Sequence, residues 1–597
     1  MKKRSEVPLE DCWNVEAIYP DTESWRKDFN SLKKEGKLYL ESILRFKGRL
    51  GQSPETLKML IEAQQVIERK LVNLYVYMHL KHDEDIAEET YKTPYGEIQA
   101  ALFDFQKQTS WIEPELIELS EETQKIYLES KPLQPYRFQL EKTFRLKEHT
   151  LSSDKEELVA LASKALRTPG SAFSALNDAD LKFPDVEDSN GEKHALSHGS
   201  YQVMLRSFDR KLRENAFKTY MGRYDAFDNT MAELIQGAVQ ANIFQAKAHK
   251  FNSALDAALF PKNIDTQVYR SLIDTVRNRI GALHDYYKVR KKALGVEKLH
   301  LWDQSVPITP ELEIRMEYPE AEKVIIESMK PLGDDYVKKL EEGLKNARWV
   351  DRYENKNKRS GAYSSGSYDT QPYILMNYKG ILRDVFTLAH EAGHSMHSLY
   401  SKTQPYQYYG YPIFLAEVAS TFNEELLSVY LRENAKSTDE KIFLINQKLE
   451  DIKATLFRQV MFAEFELLIH EHAEKDLPIT PAFLKTKYKE LCDFYFGEDV
   501  VVDPEIDIEW ARIPHFYYNF YVYQYATGIS AALALSEKVL KGDKKDRDAY
   551  LNFLKSGCSK YPIDTLKLAG VDMATPDPVA SAIDLFAALT QELDSLL

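Results

Sequence analysis

The twelve residues TLAHEAGHSMHS, 387 to 398, hold three histidines: His390 and His394 stand four apart with Glu391 between them, and His397 follows three later. On a helix, a step of four advances about 400° and about 6 Å, so His390 and His394 project from one face, one turn apart. That spacing lets both imidazoles reach a single Zn²⁺ at roughly 2.0–2.1 Å. Glu391 is displaced by about 100° around the helix, which places it beside such a metal rather than on it, where it can take a proton from a bound water. The chemistry is metal-assisted hydrolysis, with one Zn²⁺ per chain. The opposing reading is a buried helix whose histidines are satisfied by hydrogen bonds. With 14 histidines in 597 residues, a chance HExxH has a probability of roughly 0.03, which favours the metal.

A catalytic zinc needs a third protein ligand and an open position. His397, Glu417 and Glu424 are the candidates. His397 lies about 10 Å from His390 along the axis, so three histidines of one straight helix would strain to converge. Glu417 and Glu424 belong to PIFLAEVASTFNEELLSVYL, a second helix expected to start after Pro412. Seven apart, they share a face: one can bind the metal while the other, two turns on, orients a ligand histidine. Glu417, nearer the helix start, is the expected ligand and Glu424 the orienting carboxylate. A decoy in LLIHEHAEKD places His470 and His472 two apart, diverging by about 200°; it is expected to be helix surface.

Elements must position these groups. KRSGAYSSGSYDTQPYILMNYKG has Gly361 and Gly366 bracketing Ser364 and Ser365, then the apolar stretch PYILMNY, expected to be a strand leading into the histidine helix from Ile381. A phosphate-binding loop is excluded by the lack of GK[ST]. The Gly361–Gly366 loop, with Tyr363 inside it, and the PYILMNY edge can pair with an extended peptide backbone, which tolerates varied side chains. Further upstream, residues 24 to 165 carry helical apolar spacing, as in LKMLIEAQQVIERKLVNLYVYMHLK. Asn190-Gly191 signals a hairpin turn and a soft boundary, dividing an N-terminal helical region, 1–195, from a catalytic region, 196–597. Beyond it RSFDRKLRENAFKTYMGRYDAF resumes long helices, with Asp209, Arg213 and Glu214 expected on solvated faces.

Composition agrees with a mainly α fold: 23 glycines, 24 prolines and 29% charged residues of mixed sign suit long helices. The net charge of −15 and the lack of a basic stripe speak against nucleic-acid binding. Three cysteines with no CxxC pairing speak against a disulfide scaffold or a cysteine-held zinc. The start MKKRSEVPLEDCWN lacks an apolar stretch of signal-peptide length, and no window approaches the roughly 20 apolar residues of a membrane span. A soluble, cytoplasmic protein without an obligate protein partner is expected.

HEAGHSMH, followed 27 residues after His390 by the Glu417 of AEVASTFNE, resembles the thimet oligopeptidase group of zinc peptidases, most closely its bacterial branch, oligoendopeptidase F. GAYSSGSYDTQPYILMNYKG and SFDRKLRENAFKTYMGRY are similar to that branch too, and the likeness spans about residues 115 to 585. The resemblance implies a large bilobal helical body with a deep substrate channel, a small β element beside the HExxH helix, and zinc held by His390, His394 and Glu417 with Glu391 as base. It also implies that a histidine and tyrosines of a late segment, here IPHFYYNFYVYQYATG, bind substrate; His515, Tyr521 and Tyr525 are carried over as catalytic and Tyr518 as substrate-binding. The expected function is endopeptidase cleavage of short oligopeptides. Two alternatives stand beside it: a dipeptidyl carboxypeptidase or other exopeptidase on the same scaffold, and a helical peptide-binding protein with structural histidines.

Overall fold

Helices begin where the sequence supplies caps. Ser53 accepts the Thr56 N–H ahead of the Pro54–Glu84 helix, Asp209 the Leu212 N–H ahead of Arg210–Asp225, and Ser437 the Glu440 N–H ahead of Thr438–Ile452, each satisfying a backbone donor that the first turn leaves open. The computed structural model describes residues 1–309 and 312–597, without the side chains of 35–39. The fold is mainly α, with three small sheets among the described residues, as composition and spacing imply.

Packing divides the chain into two compact units, each assembled from three stretches: 1–150, 313–430 and 535–570 form the first, and 151–312, 431–534 and 571–597 the second. This division by packing is distinct from the division by role expected at residue 195.

In the first unit the Pro54–Glu84 helix buries Leu57, Leu60, Ile61, Leu71 and Leu74 in one cluster with Trp13, Trp25, Phe29, Tyr373 and Leu375. Apolar spacing of this kind drives the helix onto the core. The PYILMNY stretch forms the strand Tyr373–Leu375, buried along its length. It is the centre of a three-stranded sheet, parallel to Val350–Asp351 and antiparallel to the edge strand Tyr363–Ser365, with Ser364 opposite Ile374. The sheet is anchored by buried charge. The Asp351 carboxylate meets Lys358 Nζ at 2.6 Å and Arg4 at 2.6 Å, and Lys358 also donates to the Tyr353 and Met376 carbonyls, both at 2.6 Å.

The second unit contains the hairpin at Asn190-Gly191, pairing Val186 with His194, and a parallel pair joining Leu299 to Val500. Two expectations of exposure are corrected here. Arg213 is buried and pairs with the fully buried Asp303 at 2.6 Å. His470 is also buried, with Nδ1 on the Glu466 carbonyl at 2.8 Å and Nε2 at 3.2 Å from Asn242 Nδ2. Both polar side chains find partners that only tertiary packing supplies.

Candidate metal and catalytic centre

The HExxH motif lies on the helix Leu382–Ser401, and Glu417 and Glu424 on the helix Ile413–Glu433, both in the first unit up to residue 430. The two helices touch at Gly393. A Cβ there would stand 2.7 Å from Ser420 Cα and 2.8 Å from the Ala419 carbonyl oxygen, closer than real contacts allow, so glycine is what permits this approach.

Across the contact, Glu417 Oε2 lies 3.5 Å from His390 Nε2 and 3.8 Å from His394 Nε2, and one ligand atom from each of the three residues falls within 4.8 Å of the others. Tetrahedral zinc at roughly 2.0–2.1 Å from its ligands sets them about 3.3–3.4 Å apart; both imidazole–carboxylate separations lie within a few tenths of an ångström of that, and the donor set of two imidazoles and a carboxylate fits the ion. The ligands are held as well: His390 Nδ1 meets Glu424 Oε1 at 2.5 Å, the Ala416 backbone faces His394, and Ser420 Oγ lies 3.2 Å from Glu417 Oε2. With Nδ1 engaged by Glu424, Nε2 is the His390 nitrogen that faces the other ligands, as metal binding requires. Tyr411 adds a hydrogen bond to the His394 carbonyl at 3.2 Å, and Asn423 one to the Ala389 carbonyl at 3.3 Å.

Electrostatics separates the groups. Burial raises the Glu391 carboxyl pKa, Glu417 and Glu424 add to the rise and His390 opposes it; the outcome is about 7. A carboxyl at that value is poised to exchange protons near neutrality. Burial lowers the pKa of His390, but the Glu424 hydrogen bond and charge outweigh it and bring the value to about 9. Burial, helped by charge on His390, lowers His394 to about 3.

His397 stays out of the cluster. It is fully buried, its ring stacked on Tyr411 at 3.7 Å and 7°. Neither ring nitrogen has a partner among the described residues, and burial lowers its pKa to about 3.

The loop before the helix reaches the same site through its edge strand. Ser364 Oγ pairs with Ser395 Oγ at 2.8 Å, and the Ser364 backbone amide faces the Glu391 carboxyl and opposes the rise of its pKa. Tyr363, on the opposite side of the pleat, donates its hydroxyl to the buried Asp83 at 2.9 Å and stacks on His79. Its side chain is thus committed within the unit, and its backbone pairs with Leu375, so that Ser364 is the strand residue whose backbone faces the open edge. Gly361 and Gly366 both take positive φ, +84° and +152°, and turn the chain at either end of the strand.

The late aromatic segment belongs to the second unit. There Tyr525 Oη lies 3.4 Å from His515 Nε2, and near-perpendicular rings link His515 to Tyr518, Tyr518 to Tyr521 and Tyr521 to Tyr525 with centroids 5.8, 6.5 and 5.4 Å apart. The four carried-over residues therefore form one cluster. Tyr517 instead stacks on Phe173 at 4.5 Å.

Sequence reasoning missed Ser395, Tyr411 and the Ser364 pairing. The helix contact itself was readable from the small residues Ala416, Ala419 and Ser420 of the second helix, two of which meet Gly393.

Comparison with known proteins places these motifs in context. The profile described as peptidase family M3 matches residues 203–585, and one described as oligopeptidase F matches 115–183. The chain is 41% identical to oligopeptidase PepF of Bacillus subtilis, over all of this chain and 88% of that protein. It is 37% identical to group B oligopeptidase PepB of Streptococcus agalactiae, over all of this chain and 98% of that one. A crystal structure of oligoendopeptidase F from Enterococcus faecium superimposes with a TM-score of 0.72 at 35% identity, covering 96% of this chain and 99% of its own.

Proposed function

The chain belongs to peptidase family M3, and from that premise we propose that it is a zinc-dependent endopeptidase that cuts internal bonds of short oligopeptides. The observation that carries the reading is the meeting of His390, His394 and Glu417 with Glu391 beside them on the same helix as the histidines. When bound, zinc would lower the pKa of a water and polarise the scissile carbonyl. Glu391 takes the proton of the attacking water and returns it to the leaving amine. Glu424 holds His390 in the tautomer that presents Nε2. The edge strand Tyr363–Ser365 offers its backbone, between Gly361 and Gly366, to an extended peptide, so side-chain specificity is broad. His515, Tyr521 and Tyr525, with Tyr518 at the rim of the cluster, donate hydrogen bonds to substrate and to the carbonyl oxygen as it gains charge, an effect worth about 2.7–4 kcal/mol per donor where measured. No helix among the described residues is long and apolar enough to cross a membrane, and we place the enzyme in the cytoplasm, acting on short peptides without an obligate partner.

The test is cleavage of a doubly blocked, fluorescence-quenched peptide of about eight residues, sized for an extended-strand site, by wild type and Glu391→Gln with zinc quantified in both. Internal cleavage by wild type alone, with one zinc in each, is expected. Hydrolysis by Glu391→Gln at the wild-type rate would refute the mechanism.

A further inference from the structure

Asn519 and Phe520 are consecutive non-glycine residues in left-handed backbone, φ +44° and +54°. L-residues adopt this conformation sparingly, and it persists where the surroundings fix it. What fixes it here is the helix Arg458–Glu474: the carboxyl of Glu466, 0% exposed, accepts the Phe520 N–H at 2.6 Å. The Phe520 ring is then received by Tyr269, edge-on at 5.6 Å, and by His470 at 4.4 Å. Glu466 Oε2 is buried with no hydrogen-bond partner among the described residues. Burial raises the Glu466 pKa to about 8, so near neutrality the group is mostly an uncharged acid whose oxygen still accepts the amide. A buried carboxyl with one oxygen unsatisfied costs stability, which a residue serving packing alone would avoid.

The turn lies between the two halves of the aromatic cluster. Before it come His515 and Tyr518; directly after it comes Tyr521, and the chain enters the helix Tyr523–Leu540 that carries Tyr525. A rotation at 519 or 520 would therefore separate Tyr525 from His515, whose polar atoms are now 3.4 Å apart.

We propose that Glu466 is a positioning residue for peptide hydrolysis: by binding the Phe520 amide it locks the Asn519–Phe520 turn, and the turn aligns Tyr521 and Tyr525 with His515. The proposal rests on the reading above that those three residues bind substrate. Glu466 touches no reacting atom and acts through the backbone. Because an uncharged acceptor suffices, glutamine at this position keeps the turn and leucine releases it.

The test measures kcat and KM on the quenched peptide for Glu466→Gln and Glu466→Leu, in wild-type and Tyr525→Phe backgrounds, with zinc content and thermal unfolding of each. Expected are a Glu466→Gln enzyme with kcat within about threefold of wild type and a Glu466→Leu enzyme with full zinc, KM within about twofold and kcat down at least about tenfold. Adding Glu466→Leu to Tyr525→Phe costs less than the same change costs the wild type, because residues acting as a unit are non-additive. Should Glu466→Leu not fold, Asn519→Val carries the test from an exposed side chain, since a β-branched residue resists left-handed backbone; the same tenfold loss is expected. A folded, zinc-loaded Glu466→Leu or Asn519→Val enzyme with unchanged kcat, or losses that simply add, overturns the proposal while Tyr525→Phe is impaired. Full activity of both Tyr521→Phe and Tyr525→Phe beside an inactive Glu391→Gln overturns the reading of the aromatic segment and the proposal with it.

Discussion

Replacing Glu424 by alanine should weaken zinc binding without removing a ligand. Its Oε1 stands 2.5 Å from His390 Nδ1, a short contact in which carboxylate charge strengthens the hydrogen bond. Bonds to a charged partner contribute about 1.5–3 kcal/mol net, which converts to about 10- to 150-fold in a dissociation constant. Loss of the group that orients a ligating histidine independently suggests about 10- to 100-fold. The predicted zinc Kd of Glu424→Ala is therefore about 10- to 100-fold above wild type, with Glu424→Gln nearer tenfold because it keeps an acceptor but no charge. Competition against a chromogenic chelator at fixed pH measures it, and Glu417→Ala, which deletes a ligand, sets the upper reference. At saturating zinc, Glu424→Ala should recover most of its kcat. A Glu424→Ala Kd within twofold of wild type would show that His390 is oriented by the helix alone and would refute the argument.

Two further outcomes follow from the same site. The Glu391 carboxyl rises from 4.5 to about 7 on folding, so the folded chain binds more protons than the unfolded chain between those values. Its contribution to stability is full below 4.5 and is lost as pH rises through 7, by the linkage between proton uptake and stability. In zinc-free protein, Glu391→Gln should thus raise Tm more at pH 8 than at pH 5, as read by calorimetry; an equal change at both would contradict the environment assigned to Glu391. Gly393→Ala gains helix propensity worth about 1 kcal/mol, but its Cβ would stand 2.7 Å from Ser420 Cα. Overpacking costs about 1–3 kcal/mol, so urea unfolding should show net destabilisation of up to about 2 kcal/mol, and chelator competition a weaker zinc site; a stabilised variant with wild-type affinity would exclude the close approach.

How much of this was legible in the sequence varies with the range of the interaction. The histidine helix, the Tyr373–Leu375 strand and the helix after Pro412 all follow from local apolar patterning and end signals, which a window of a dozen residues contains. That Glu424 faces a ligand histidine was readable because both spacings are helical, seven residues on one helix and four on the other; that the histidine is His390 was not. Arg213 and His470 were misread for the opposite reason. Their partners, Asp303 and Asn242, lie 90 and 228 residues away, and polarity taken alone makes an Arg or His look solvated. The Glu466 to Phe520 bond has the same character, spanning 54 residues to a backbone amide that no side-chain pattern announces.

Gly393 shows why the motif and the second helix belong to one argument. Its missing side chain brings the Ile413–Glu433 backbone against the HExxH helix between the turns that carry His390 and His394. From a backbone so close, two glutamates seven apart have different reach. Glu417 ends near both Nε2 atoms, at 3.5 and 3.8 Å, while Glu424, two turns on, meets the far side of His390 at Nδ1. One contact thus sets both the third ligand and the tautomer of the first. It also places two carboxylates near Glu391, and their charge, added to burial, helps hold that carboxyl near 7. Moving the second helix outward would loosen the ligand set and let Glu391 fall towards an ordinary carboxylate pKa together, so metal affinity and basicity at this site are coupled through a single helix crossing.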